Sequence, residues 1–226
     1  MIRDVLTLLG KDLRVEWRNQ ELALATLFFA AVVMLIFVFA FLAGDRPSAE
    51  VCSGVLWVAL ALSGTVGIAR GFEREREGSS FRALLLSPMA REVIYVSKLT
   101  GIALLMALVA VVALVLLVVL FGAMVGEIWP TLLLLLALGI VGFSAVAALF
   151  GAALGRAQSR QVLLPLLLYP LTLPVLIAGT RATALLLSGG DAAQISFWLR
   201  FLVVFDAVFV SLGVWLFEHV VTAGEA

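Results

Sequence analysis

Apolar residues fall along this chain in six long blocks, separated by segments that hold most of the charge. The blocks run over about 21–43, 51–69, 99–122, 130–154, 162–179 and 197–217. Each is near the roughly 20 residues that cross about 30 Å of hydrocarbon at about 1.5 Å per residue. The pattern predicts an all-α polytopic membrane protein with six transmembrane helices, forming one permease-like domain over residues 1–226. The second and fifth blocks are short. The fifth contains Pro165, Pro170 and Pro174, which remove backbone donors and predict a bent or partly unwound span. Ahead of the first block, Ile2, Val5, Leu6, Leu9, Leu13 and Trp17 recur at helical spacing, with Lys11, Arg14 and Arg18 opposite them. Residues 1–20 therefore read as an interfacial amphipathic helix. A cytosolic helix packed on a partner fits the same pattern.

The connections set the orientation. All but three of the fifteen lysines and arginines lie before the first block, within 70–98, or between the fourth and fifth blocks. The three are Arg46, Arg181 and Arg200. Such an excess marks the cytoplasmic side, so the N-terminus is expected inside, and after six crossings the C-terminus as well. Two connections are longer than a turn: the charged segment 70–98, and 180–196 on the outer side. The latter carries a short apolar patch before Gly189-Gly190. A re-entrant element and a plain surface loop both fit it, the first only where other protein covers its backbone.

Composition agrees. Hydrophobic residues make up 64% of the chain and charged residues 13%, where a soluble domain is closer to half and a quarter. The excess must face lipid. A formal net charge of zero gives no sign of nucleic-acid binding. The single cysteine, Cys52, excludes an internal disulfide framework.

Catalytic chemistry is not expected of this chain. With one histidine, His219, and one cysteine there is no zinc cluster, and no metal site is expected. The only lysines, Lys11 and Lys98, lack the glycine pattern of a phosphate loop. Asp206 is the one carboxylate deep within a block. Such a group is costly in lipid and is a functional candidate; an aspartate hydrogen-bonded to a neighbouring helix is the alternative. Gly151 and Gly155 form a G-x-x-x-G pair that suits close helix packing.

The segment 69–98, ARGFEREREGSSFRALLLSPMAREVIYVSK, is the most informative. Glu73, Glu75 and Glu77 alternate with arginines and suit a helix carried out of the second span into water. Gly78 breaks it, and Ser79 or Ser80 can cap a new short helix. There Phe81, Leu84, Leu85 and Pro88 recur at i, i+3, i+4 and i+7, with Arg82 alongside, and Pro88 ends it. A short apolar face held off the membrane on a charged stalk calls for a partner groove; a helix lying back on the lipid headgroups is the alternative.

This arrangement resembles the permease subunits of type-2 ABC exporters. Glu-Arg-Glu-Arg-Glu-Gly-Ser followed by Leu84-Leu85-Leu86-Ser87-Pro88 is similar to that family's loop motif. The opening KDLRVEWRNQE, the second span GVLWVALALSGTVGIARGFERE and the fifth, LLPLLLYPLTLPVLIAGT, resemble the haem exporter protein B (CcmB) family of cytochrome c maturation, over nearly the whole chain. The resemblance implies a coupling helix between spans two and three that docks on a separate ABC ATPase subunit. The contact residues it implies are Glu73, Glu75, Glu77, Gly78, Ser79, Phe81, Arg82, Leu84, Leu85 and Pro88. Phe81 departs from the family, where that position is usually acidic, so an apolar contact is expected in place of a salt bridge. Implied partners are a second copy of the chain, a haem-handling membrane subunit, a small single-span subunit and the bilayer of a bacterial inner membrane. ATP is expected on the ATPase, with haem as possible cargo and no cofactor resident in this chain. Haem iron is usually held by His, Cys, Met or Tyr, and one histidine at the cytoplasmic end excludes a bis-histidine site here. Export of another amphipathic substrate is the alternative function, and a passive channel or secondary transporter fits poorly with so few charges inside the spans.

Overall fold

In the computed structural model the described residues are 8, 10, 20–41, 47–77, 90–123, 125–154 and 160–223, with backbone alone at 73–77, 160–161, 218 and 220–223. Six helices account for nearly all of them: α1 Glu21–Phe41, α2 Ala49–Glu77, α3 Arg91–Phe121, α4 Trp129–Ala153, α5 Arg160–Ser188 and α6 Ala192–Ala223. No strand occurs among the described residues. All six are long and apolar enough to cross a membrane. The expected interfacial helix over 1–20 lies almost wholly outside the described residues. The expected coupling helix around Phe81–Pro88 lies wholly outside them.

The helices alternate in direction. Thr26 of α1 meets Gly67 near the far end of α2, Trp57 early in α2 meets Thr183 late in α5, and Tyr95 early in α3 meets Ala145 late in α4. Glu21, Glu77, Arg91, Ala153, Arg160 and Ala223 therefore lie at one end, called here the stalk end. Phe41, Ala49, Phe121, Trp129, Ser188 and Ala192 lie at the other. Helices α2 and α4 form the centre, with 72% of their most apolar windows buried, against 22–33% for the other four. Apolar side chains on those four outer helices, such as Phe28, Phe39, Val119 and Trp215, are exposed on the surface that lipid would wet. Several threonine hydroxyls inside the helices are satisfied locally: Thr26, Thr65, Thr100 and Thr172 each donate to the carbonyl four residues back, whereas the buried hydroxyls of Ser63 and Ser97 have no partner.

The structure bears out one expectation at the helix ends and corrects others. Helix α2 continues past the apolar block to Glu77, as the charged stalk led us to expect, and α3 begins as early as Arg91. Helix α5 runs unbroken through Pro165, Pro170 and Pro174, so the fifth span is not unwound. The largest correction concerns 180–196. Residues 180–188 are the last turns of α5, and α6 begins at Ala192, leaving a three-residue turn where a loop or separate re-entrant element was expected. Local chemistry explains it. Gly189 takes φ +67°, the Gly190 N–H donates to Leu185 O at 2.7 Å, and the Gly189 N–H donates to Leu186 O at 3.4 Å. These paired bonds cap the helix with a left-handed residue that glycine adopts without strain. Asp191 then caps α6, its Oδ1 accepting the Ala193 N–H at 2.9 Å.

Candidate functional site

The most tightly built point of the bundle is Trp57. Its indole stands on α2 and its Nε1–H donates to Thr183 Oγ1 of α5 at 2.9 Å, both buried. The ring lies where a Cβ on Gly139 of α4 or on Gly179 of α5 would have to stand. Two glycines thus create the slot, and one side chain ties α2, α4 and α5 together. A buried indole N–H needs such an acceptor, because lipid offers none.

Three residues along α4 from Gly139, a second close approach has a different character. Asp206, midway along α6, is 7% exposed and faces Gly142, whose added Cβ would stand 2.5 Å from Oδ1. Neither carboxyl oxygen has a hydrogen-bond partner. Phe205 presses on the same glycine and stacks on Phe209 at 4.3 Å. The nearby hydroxyl of Ser144 is directed to Met106 Sδ at 3.8 Å. Burying a polar group unpaired costs free energy, so the α4–α6 seam carries an uncompensated cost near the middle of both helices.

At the stalk end a second aromatic group binds α3, α4 and α6. The Tyr95 hydroxyl donates to Ala145 O at 3.2 Å, and its ring packs 5.5 Å from Phe217. Phe72 of α2 fills the space beside Gly151 of α4. Among the expected site residues, Glu73, Glu75 and Glu77 lie on the last turns of α2. Gly78, Ser79, Phe81, Arg82, Leu84, Leu85, Pro88 and Gly155 lie outside the described residues. Pro170 is exposed and Pro165 and Pro174 are half-buried on α5, whereas Asp206 is buried on α6. The candidates within the spans therefore do not converge on one site. Among the described residues no three His, Cys, Asp or Glu side chains are placed to hold a metal.

Trp57, Thr183, Gly139, Gly142 and Tyr95 were not singled out from the sequence. A tryptophan inside an apolar block was the available signal, since that residue concentrates at interfaces.

The model of the family described as CcmB protein matches residues 3–223. Heme exporter protein B of Pseudomonas aeruginosa is 32% identical over 193 residues, which cover 85% of this chain and 86% of the relative. Heme exporter protein B of Rhodobacter capsulatus is 31% identical over 217 residues, 91% of this chain and 92% of the relative. That of Haemophilus influenzae is 27% identical over 172 residues, 76% and 77% of the two chains.

Proposed function

The chain belongs to the CcmB protein family, and from that premise we propose that it is the membrane permease subunit of a haem exporter serving cytochrome c biogenesis. The observation that carries the reading is a family match over residues 3–223 on a six-helix bundle whose second span runs out as a charged helix to Glu77. The reading extends to an ATP-driven complex in a bacterial inner membrane, with both termini cytoplasmic. Two copies of this chain pair with two separate ATPase subunits, beside a haem-handling membrane subunit and a small single-span one. The product is haem made available to a periplasmic chaperone.

In this reading α2 is the lever. Its 29 residues form a rod of about 43 Å. The ATPase is engaged through Glu73, Glu75, Glu77 and the segment from Gly78 to Pro88, with Phe81, Leu84 and Leu85 as the apolar contact and Arg82 at its edge. Displacement at the stalk reaches Trp57, some 30 Å away along the rod, where the indole passes it to α4 and α5 together. The prolines of α5 and the unpartnered Asp206 of α6 mark the helices that respond. Axial ligation of haem iron falls to the partner, since this chain offers no histidine pair.

Mild-detergent purification of the tagged chain, followed by identification of its companions, tests the reading. An ABC ATPase subunit is expected to co-purify with the wild type and to be lost with Leu85→Asp, together with cytochrome c maturation. If both survive that substitution, the docking assignment is wrong.

A further inference from the structure

The two flanks of the bundle differ at the end away from the stalk. Contacts along α2 set the relative heights of α3 and α5. Gly64 lies under Met106 of α3, and Trp57, seven residues on, reaches Thr183 of α5. Val111 of α3 and Arg181 of α5 therefore stand at about the same height, as do Val118 and Ser188. From that height upward the described residues of α1 and α3 present exposed apolar side chains: Val111, Val115 and Val119, and Phe39 of α1 at 84%.

The α5–α6 flank is cationic there. Arg181 lies seven residues inside α5 from Ser188, and Arg200 eight residues inside α6 from Ala192. Each is thus about 10–12 Å below the Gly189–Asp191 turn. Both are exposed. Arg181 continues the exposed apolar stripe Leu166, Leu173, Ile177, and Arg200 sits among exposed Phe197, Phe201 and Val204. Glu50 of α2 is within electrostatic reach of Arg181, and the Asp191 carboxylate is engaged with the Ala193 N–H at the turn.

A guanidinium held against hydrocarbon is costly, and its long stem reaches for the nearest polar layer. The group matching it in charge and geometry in a bilayer is a phosphate, which a guanidinium binds bidentately. We propose that Arg181 and Arg200 form a binding site for the headgroup phosphates of anionic phospholipids, which they draw inward along the α5–α6 flank. The bilayer is then thinner on that flank than on the α1–α3 flank by about the depth of the arginines. The tip of the α5–α6 hairpin stands in the headgroup and water layers while Val118 stays in hydrocarbon at equal height.

The test uses the full chain with Cys52→Ser, reconstituted in nanodiscs of equal parts phosphatidylglycerol and phosphatidylcholine. Single cysteines at Ser188→Cys and Val118→Cys are labelled with a charged maleimide. Position 188 is expected to react at least tenfold faster; equal rates overturn the thinning. Native mass spectrometry of the released protein reads the lipid retained. Phosphatidylglycerol is expected to be retained over phosphatidylcholine by about tenfold in the wild type. That preference is expected to vanish with Arg181→Gln and Arg200→Gln combined and to survive the paired lysine substitutions. No preference in the wild type, or an unchanged preference in the double glutamine variant, overturns the site. A site for a carboxylate amphiphile would give the first of these results. Should the double variant fail to fold, the wild-type retention and the two labelling rates still decide.

Discussion

Two polar side chains stand at glycine-lined crossings three residues apart on α4. At Gly139, Trp57 brings an aromatic ring and one N–H, and the N–H is met by Thr183. At Gly142, Asp206 brings two oxygens, and neither is met. Both are buried and both approach backbone that only glycine leaves open. In water the difference would be small, because solvent would pair the aspartate. In hydrocarbon there is no substitute partner. The first crossing therefore holds helices together, whereas the second is tolerated at a cost. A bundle selected for stability alone would have an apolar residue at 206. Trp57 thus joins α2, α4 and α5 with every polar group met, whereas the α4–α6 seam, held at the stalk end by Tyr95 and Phe217, carries an unpaired carboxyl at its middle.

The largest expected effect is at the rigid crossing. Trp57→Ala empties a slot shared by three helices and is expected to cost about 3–5 kcal/mol, read as a lower unfolding midpoint in mild detergent. A loss within 1 kcal/mol would mean that the three helices are held elsewhere. Next is Asp206→Val, which replaces the unpaired carboxyl by an apolar group of similar shape. It is expected to raise stability by about 1–2 kcal/mol while lowering cytochrome maturation. Destabilisation by that amount would show that Asp206 has a partner, and the contrast between the crossings would disappear. Smaller still is Thr183→Val, which keeps the packing and orphans the indole N–H, at about 1 kcal/mol. Tyr95→Phe, which removes only the bond to Ala145 O, is expected to cost about 0.5–1 kcal/mol.

The six spans were legible because lipid imposes one requirement on every exposed position, and hydropathy reads it directly. The run of α2 to Glu77 was legible as well, from charges spaced to suit a solvated helix. The end of α5 was misread. The apolar block was ended at 179 and 180–196 expected as a loop or re-entrant element, yet neither Thr180 nor Arg181 stops a helix whose hydrogen bonds are complete. The true stop signals, Gly189-Gly190 followed by Asp191, lay nine residues further on. Asp206 was visible as a lone charge in an apolar block. Its want of a partner was not, because that depends on what α4 presents at Gly142. Trp57 and Thr183 are 126 positions apart, and no local pattern joins them.

Haem-stained c-type cytochrome, in a bacterium whose own gene for this permease has been deleted, measures the central claim most directly. The account expects the deletion strain to lose its holocytochromes while still making apocytochrome, and this chain, supplied on a plasmid, to restore them. Full levels of haem-stained cytochrome in the deletion strain would contradict it.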